Sequence, residues 1–330
     1  MPAEFDLIER YFLPLSRISP QPLVGIGDDG AVLASQPGHD WVVVTDTVIE
    51  GVHFPFDTRP EAIAWKALAV NLSDLAAMGA TPAAFSLALS LPDHKNNQAW
   101  LSRFSLGLKR LAERFQLPLI GGDTTRHDTL VVTVTAHGQV PSGKAVRRSG
   151  AKAGDLLAVT GVIGDGGLGL ASKQGRLQGE RKRRAELKLN RPWPRVEFGR
   201  KARNLASAAI DVSDGFLADL MHMLKASRLG AEIDWHAMPF SKAMQASLDG
   251  LESSDASRLW PLTTGDDYEL IVAFAPEQRL EIERLSIETR TPLTVIGRLE
   301  QGEQLRLNQN GQAWQVYEPA DDTVGYRHFV

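Results

Sequence analysis

One recurring pattern limits what this chain can fold into: an apolar, β-branched run that ends on a carboxylate. Trp41 to Thr47 reads WVVVTDT, Leu119 to Thr125 reads LIGGDTT, and Ala209 to Gly215 reads AIDVSDG. Val24 to Gly30 (VGIGDDG) and Asn71 to Gly79 (NLSDLAAMG) add two more acidic segments. Asp28, Asp29, Asp46, Asp74, Asp123, Asp211 and Asp214 thus sit at or near the ends of apolar segments. Carboxylates gathered there would repel one another unless a counter-ion joined them, and hard divalent cations prefer oxygen ligands. The expectation is that these residues converge on magnesium ions that hold a polyphosphate.

The bulk properties narrow the field. A chain of 330 residues accommodates two domains of ordinary size. Its 43% hydrophobic and 23% charged residues are ordinary for a soluble protein. A net charge of −4 gives no electrostatic footprint for nucleic acid. The absence of cysteine removes thiol nucleophiles, disulfides and thiolate metal sites, and fits a cytoplasmic location. The start, MPAEFDLIERYF, lacks the apolar core of a signal peptide. No apolar run approaches the ~18 residues of a membrane span.

Periodicity predicts a short helix over 4–13, then a proline-rich loop leading to GIGDDGA, and a strand over Trp41–Thr45. A helix follows from Pro60 to Gly79, with Asn71 and Asp74 neighbours on one side. Then come a strand at 83–91, an amphipathic helix at 97–115 with Trp100, Phe104, Leu108 and Leu111 on one face, a short strand at 117–120 leading into GGDTTR, and a strand at 130–140. Glycine and charge interrupt the pattern near Ser149, giving domains 1–149 and 150–330. The second half predicts strands at 155–160, 209–212, 231–235, 268–274 and 292–299. Its helices follow GVIGDGG, at 195–207, at 215–226 and from Pro276, and a hairpin turns at Asn310–Gly311. Residues 173–191 read as a solvated basic helix or loop. Strands and helices mix without strict alternation, so the fold class is α+β, two α/β domains whose loops face a cleft.

Three glycine-rich stretches resemble phosphate-binding patterns. Gly25–Gly30 fits G-x-G-x-x-G, but its two Asp would repel a pyrophosphate without a metal. Gly164–Gly169 fits too, yet has no ribose-binding acid some 20 residues on. Gly138–Ala145 misses a Walker A loop at Ala145, where a hydroxyl should bind magnesium. Scattered histidines and no H-E-x-x-H argue against zinc, and no G-x-S-x-G elbow marks a serine hydrolase. What remains is a magnesium-dependent enzyme acting on nucleotide phosphates, which needs aligned reactants and neutralised charge more than covalent help.

At these residues the chain resembles the thiamine-monophosphate kinase family of the aminoimidazole-ribonucleotide-synthetase-like ATP-binding superfamily. The likeness is carried by GIGDDGA at 25–31, TDT at 45–47, GVHF at 51–54, KALAVNLSDLAAMGA at 66–80, IGGDTTR at 120–126, RSGAKAGD at 148–155, DVSDG at 211–215 and GDDYEL at 265–270. It implies direct in-line phosphorylation of thiamine monophosphate by ATP, with no phosphoenzyme and several Mg²⁺ ions. It also implies a homodimer paired through the N-terminal sheet. By motif position Asp29, Thr45, Asp46, Asp74, Asp123, Asp211 and Asp214 resemble the magnesium ligands. Gly122, Asp123, Arg148 and Ser213 resemble ATP contacts, and His53, Asp266 and Tyr326 contacts to the thiamine phosphate. Asp74, Asp123 and Arg148 are the residues on which catalysis would rest. Val44 stands where the family often has Ser, and Asp266 where it usually has Glu. A selenophosphate synthetase of the same superfamily is disfavoured by the lack of cysteine. An aminoimidazole-ribonucleotide synthetase, or a non-catalytic module that senses ATP or metal, is a rival reading of the same residues.

Overall fold

The computed structural model describes residues 4–173, 179–248, 255–309, 312–317 and 325–326. The chain divides into two compact units, Met1–Leu75 with Ala80–Gly143, and Ala76–Gly79 with Lys144–Val330. The division falls ahead of Ser149 because the segment after Gly143 is already tied to the second unit: the amide of Ala209 donates to the carbonyl of Arg147 at 3.1 Å.

In the first unit, helix α1 (Glu4–Leu7) runs into a π turn at Ile8–Phe12 and a 3-10 turn at Leu13–Arg17. The winding passes Pro14, which opens the 3-10 piece, where a missing amide is tolerated. Strand β1 (His39–Ile49), helix α2 (Pro60–Ala77), strand β2 (Thr81–Leu91), helix α3 (Gln98–Arg114) and strands β3 (Leu119–Arg126) and β4 (Val131–Pro141) follow. They build a four-stranded sheet of order β1-β4-β2-β3, antiparallel except for the parallel pair β2 and β3. Along β4, Val132, Val134, Ala136, Gly138 and Val140 are buried and the residues alternating with them half-exposed, so one face of the sheet is core. Helix α2 exceeds its predicted single apolar face: Ala62 to Ser73 are all buried apart from Trp65. Asn97 caps α3 by accepting from the amide of Trp100 at 3.0 Å. Trp100 itself is half-buried and stacks on Phe104 at 4.9 Å.

The second unit contains β5 (Leu156–Thr160), α4 (Asp165–Lys173), α5 (Gly179–Asn190), α6 (Val196–Ala202), β6 (Ala206–Asp211), α7 (Phe216–Ser227), β7 (Gly230–Asp234), α8 (Lys242–Leu248), α9 (Asp255–Thr263), β8 (Leu270–Phe274), α10 (Arg279–Glu288), β9 (Leu293–Glu300), β10 (Leu305–Gln309) and β11 (Gln312–Tyr317). Its seven-stranded mixed sheet has the order β11-β10-β7-β9-β5-β8-β6. Leu157 and Val159 on β5, Ile271 on β8 and Leu217, Leu220 and Leu224 on α7 share its main core. The helix expected to reach Ser207 stops at Ala202, because Ala206 already pairs with Phe274 in the sheet. The turn at Asn310–Gly311 lies outside the described residues, while β10 and β11 on either side of it pair antiparallel.

The basic segment departs from its reading as a solvated face. Helix α5 buries Ala185 and Leu189, and its Lys188 reaches inward to Glu269, whose side chain is 1% exposed. Arg195 meets the same carboxylate through two hydrogen bonds of 2.6 Å, Thr160 donates a third at 2.8 Å, and Lys188 stands at 3.0 Å. A buried charge needs this complete a shell, since desolvation costs several kcal/mol. Burial alone would raise the carboxyl's pKa; Lys188 and Arg195 outweigh it and hold the group below the usual glutamate value. Substituting Arg195→Met breaks the bidentate pair, and urea denaturation is expected to show a loss of about 3–5 kcal/mol. A loss below about 1 kcal/mol, the scale of a surface pair, would contradict this assignment.

Candidate active site

The TDT and GGDTT motifs do not stand at strand ends. Thr45, Asp46 and Thr47 lie inside β1, opposite Thr135, Val134 and Thr133. Asp123 lies inside β3, opposite Ala88. The strands continue through the polar residues because side-chain pairing suits them: the hydroxyls of Thr45 and Thr135 meet at 3.0 Å, and those of Thr47 and Thr133 at 2.8 Å. Strands β1 and β3 are the two edges of the sheet. Asp46 and Asp123 are therefore three strand spacings apart, about 14 Å measured along the sheet.

A cavity of about 730 Å³ opens in this unit. Ile8 and Phe12 line one part of it; Asp28 and Asp29 of the GIGDDGA loop and Gly122 and Asp123 of β3 line another. Asp28 is used locally, accepting from the amide of Asp29 at 2.8 Å. The volume is that of a small-molecule site, with apolar walls and a few polar groups. Asp29, Gly122 and Asp123 are thus brought together, whereas Thr45, Asp46 and Asp74 are not among its lining. Ile8 and Phe12 were legible only as helical apolar positions, with nothing to separate a cavity wall from core.

His53 lies in the turn that ends β1. Its amide donates to Ile49 O at 2.9 Å and its Nδ1 accepts from the Ile49 amide at 3.0 Å. A neutral ring held this way carries its proton on Nε2, which can donate to an anion. The buried Lys66 donates to the carbonyl of His53 at 2.9 Å, and Glu50 beside it is paired with Lys95 at 2.5 Å. The near-Walker stretch closes a strand end instead of a phosphate loop: Ser142 Oγ and the Gly143 amide both donate to Asp40 at 2.8 Å.

In the second unit, Asp211 ends β6 and the next residues turn into α7. The amides of Ser213, Asp214 and Gly215 all donate to Oδ2 of Asp219, at 2.9, 3.0 and 3.3 Å. Burial, then the neighbouring charges of Asp211 and Asp214, push the Asp219 carboxyl well above the ordinary aspartate value. Sequence reasoning missed Asp219, although its place four residues after the loop glycine fits a side chain folding back onto its own helix start. The GDDYEL segment lies against the same loop. Asp266 and Tyr268 donate their amides to Ser213 O and Val212 O at 2.9 and 2.8 Å, and Tyr326 donates its own to Asp214 O at 3.0 Å. Ser213, Asp214, Asp266 and Tyr326 are therefore gathered. The backbone of Arg148 is fixed separately, its carbonyl accepting from Ser227 Oγ at the end of α7 at 3.0 Å.

The Gly164–Gly169 match does not present its amides to a phosphate. Gly164 and Gly166 donate instead to Asp267, at 2.6 and 2.9 Å. Among the described residues, no three His, Asp or Glu side chains are grouped as a ready-made metal site. Within the first unit Asp29 and Asp123 line one cavity, and within the second Asp211 and Asp214 both neighbour the Asp219 carboxyl.

The family model described as AIR synthase related protein, N-terminal domain, matches residues 27–140, and its C-terminal counterpart matches residues 152–309. Two such domains in series define the class. A thiamine-monophosphate kinase of Escherichia coli strain K12 is 43% identical over 99% of this chain and 98% of its own length, and one of Salmonella typhimurium is 42% identical over the same shares. The crystal structure of thiamine-monophosphate kinase from Stenotrophomonas maltophilia K279a superposes with a TM-score of 0.83 at 43% identity, covering 94% of this chain and 98% of that one. A structure of AaThiL complexed with AMPPCP and TMP superposes with a TM-score of 0.75 at 27% identity, covering 100% of this chain and 99% of that one. Hydrogenase maturation protein HypE, at 18% identity and a TM-score of 0.77, shares the fold. The chain belongs to the thiamine-monophosphate kinase family.

Two acids of GDDYEL titrate in opposite senses. Burial pushes the Asp267 carboxyl up to about 8, against the pull of the Gly166 and Gly164 amides, whereas Glu269 is held low by its cations. A raised acid stabilises the fold fully below its unfolded pKa and loses that contribution as pH rises through the folded one. Thermal melts between pH 4 and 8 should show wild type losing stability with rising pH relative to Asp267→Asn. Parallel profiles would refute the shift.

Proposed function

We propose that this chain transfers the terminal phosphoryl group of ATP directly to the phosphate of thiamine monophosphate, giving ADP and thiamine diphosphate. The observation that carries the reading is the cavity that gathers Asp29, Gly122 and Asp123 in a chain alike to these kinases over nearly its whole length. The two carboxylates fit magnesium, which is bound through one or two carboxylates completed by phosphate oxygens, so no preformed cage is required. Asp29, Thr45, Asp46, Asp74 and Asp123 of the first unit, and Asp211 and Asp214 of the second, would hold the ions. Bound magnesium would neutralise the charge of the reacting phosphates.

The chain's own groups do the rest. Gly122 and Ser213 offer backbone and hydroxyl contacts to ATP. Arg148 adds a positive charge that cannot be lost by deprotonation. His53 donates from Nε2 to the acceptor phosphate, and Asp266 and Tyr326 hold the acceptor. An acceptor phosphate ionised at neutral pH needs no general base, so alignment and charge compensation carry catalysis. The protein works in the cytoplasm as a homodimer joined through the N-terminal sheet. Edge strand β1 supports that reading, because Val43 is 58% exposed on it beside the partly exposed Trp41.

The test is ADP release with magnesium and a panel of phosphorylated vitamins and nucleotides. Turnover should appear with thiamine monophosphate, and ATP binding without acceptor-dependent turnover would indicate a sensor. Asp123→Asn and Asp74→Asn should each lower kcat by at least about 10²-fold, the scale of losing one charge-stabilising group, with unchanged circular dichroism. Normal turnover in both would count against the metal roles. Light scattering should return twice the chain mass, and Val43→Glu should shift the species toward monomer; a monomeric wild type rejects the dimer.

A further inference from the structure

We propose that the glycine-rich first turn of α4 is a platform that sets the acceptor loop, with Asp267 as the positioning residue that clamps the two together. The inference rests on the reading of Asp266 as an acceptor contact. The pattern that resembled a dinucleotide loop thereby serves to hold a segment of its own chain.

Three observations carry it. Asp267, 4% exposed, accepts through Oδ2 from the amide of Gly164 and through Oδ1 from that of Gly166. Both of its oxygens are thus spent on the start of one helix. Next, a Cβ on Gly166 would stand 2.5 Å from the carbonyl carbon and oxygen of Asp266 and 2.6 Å from Gly265 O. A Cβ on Gly167 would strike Thr264. The turn therefore lies directly beneath Thr264–Asp266, closer than any side chain permits. Finally, Asp266 and Tyr268 hold φ values of +71° and +50°, conformations that side-chain-bearing residues keep only when their surroundings fix them. The surroundings are visible on both sides. From the α4 side Gly166 lies against the loop and, with Gly164, holds Asp267, while the carbonyls of Ser213 and Val212 take the amides of Asp266 and Tyr268. Tyr268 Oη also donates to Asp266 Oδ1 at 3.2 Å. With so short a side chain, the reach of the Asp266 carboxylate follows from where the platform leaves its backbone.

Gly169 supplies an internal control. It sits on the same helix and a Cβ there is equally crowded, but by Ala185 O at 2.5 Å on α5, away from the loop. Steady-state kinetics would vary thiamine monophosphate and ATP separately for wild type, Gly166→Ala, Gly169→Ala, Asp267→Ala and Asp267→Asn. Gly166→Ala and Asp267→Ala should raise KM for thiamine monophosphate at least about tenfold, because small misplacements of a contact are costly. KM for ATP should stay within about twofold, since uniform ATP binding is untouched. Added formate should partly restore Asp267→Ala by occupying the vacated amides. Asp267→Asn, which keeps the volume and one acceptor, should fall between wild type and Asp267→Ala, and it reports if the glycine or alanine variants fail to fold. Equal rises in both KM values, a fall in kcat alone, or Gly169→Ala matching Gly166→Ala would overturn the platform. A wild type without turnover on thiamine monophosphate would instead sink the assignment of function, and this inference with it.

Discussion

The cost of taking a carboxylate out of water governs the C-terminal unit. Asp219, Asp267 and Glu269 are each at most 4% exposed, and each is met in a different way. Asp219 collects three consecutive amides of the turn before its own helix. Asp267 takes two amides from the start of a helix about 100 residues earlier, and Glu269 takes an arginine, a lysine and a threonine hydroxyl. Unpaired, any of them would be strongly destabilising. Paired, Asp267 and Glu269 tie the start of α4 and helix α5 to one acidic segment, and Asp219 ties the loop after β6 to α7. The polar shell that makes burial tolerable also fixes the backbone on which Ser213, Asp214 and Asp266 stand.

The N-terminal unit solves a different problem. Its sheet keeps one face apolar and lets threonine pairs line the rows between, so a strand can carry Thr45, Asp46 and Thr47 without breaking. The acids that line the cavity come from a glycine-rich loop, Asp28 and Asp29, and from an edge strand, Asp123.

Much of this was legible in the residues. Apolar periodicity located α2, α3, β2 and β4. What escaped has a common cause. The Arg195–Glu269 pair joins residues 74 positions apart, and the Gly164–Asp267 bond joins residues 103 apart. Amide donors also leave no signature in side-chain identity. So Asp267 and Glu269 passed as bystanders of Asp266, Lys188 as a solvated charge, and Gly164–Gly169 as a cofactor pattern. The strand ends were misplaced because Thr and Asp look like turn residues until their cross-strand partners are known.

The strand order of the larger sheet carries a consequence for biosynthesis. Strand β5 opens the C-terminal unit yet lies between β8 and β9, with Leu156 opposite Phe274 and Arg298. A ribosome adding about 5–20 residues per second would leave both margins of that apolar strand without neighbours for roughly 6–24 s after it is made. For that interval the nascent chain presents a sticky ribbon, and protection by a chaperone or by the emerging helices α4 to α7 must bridge the wait.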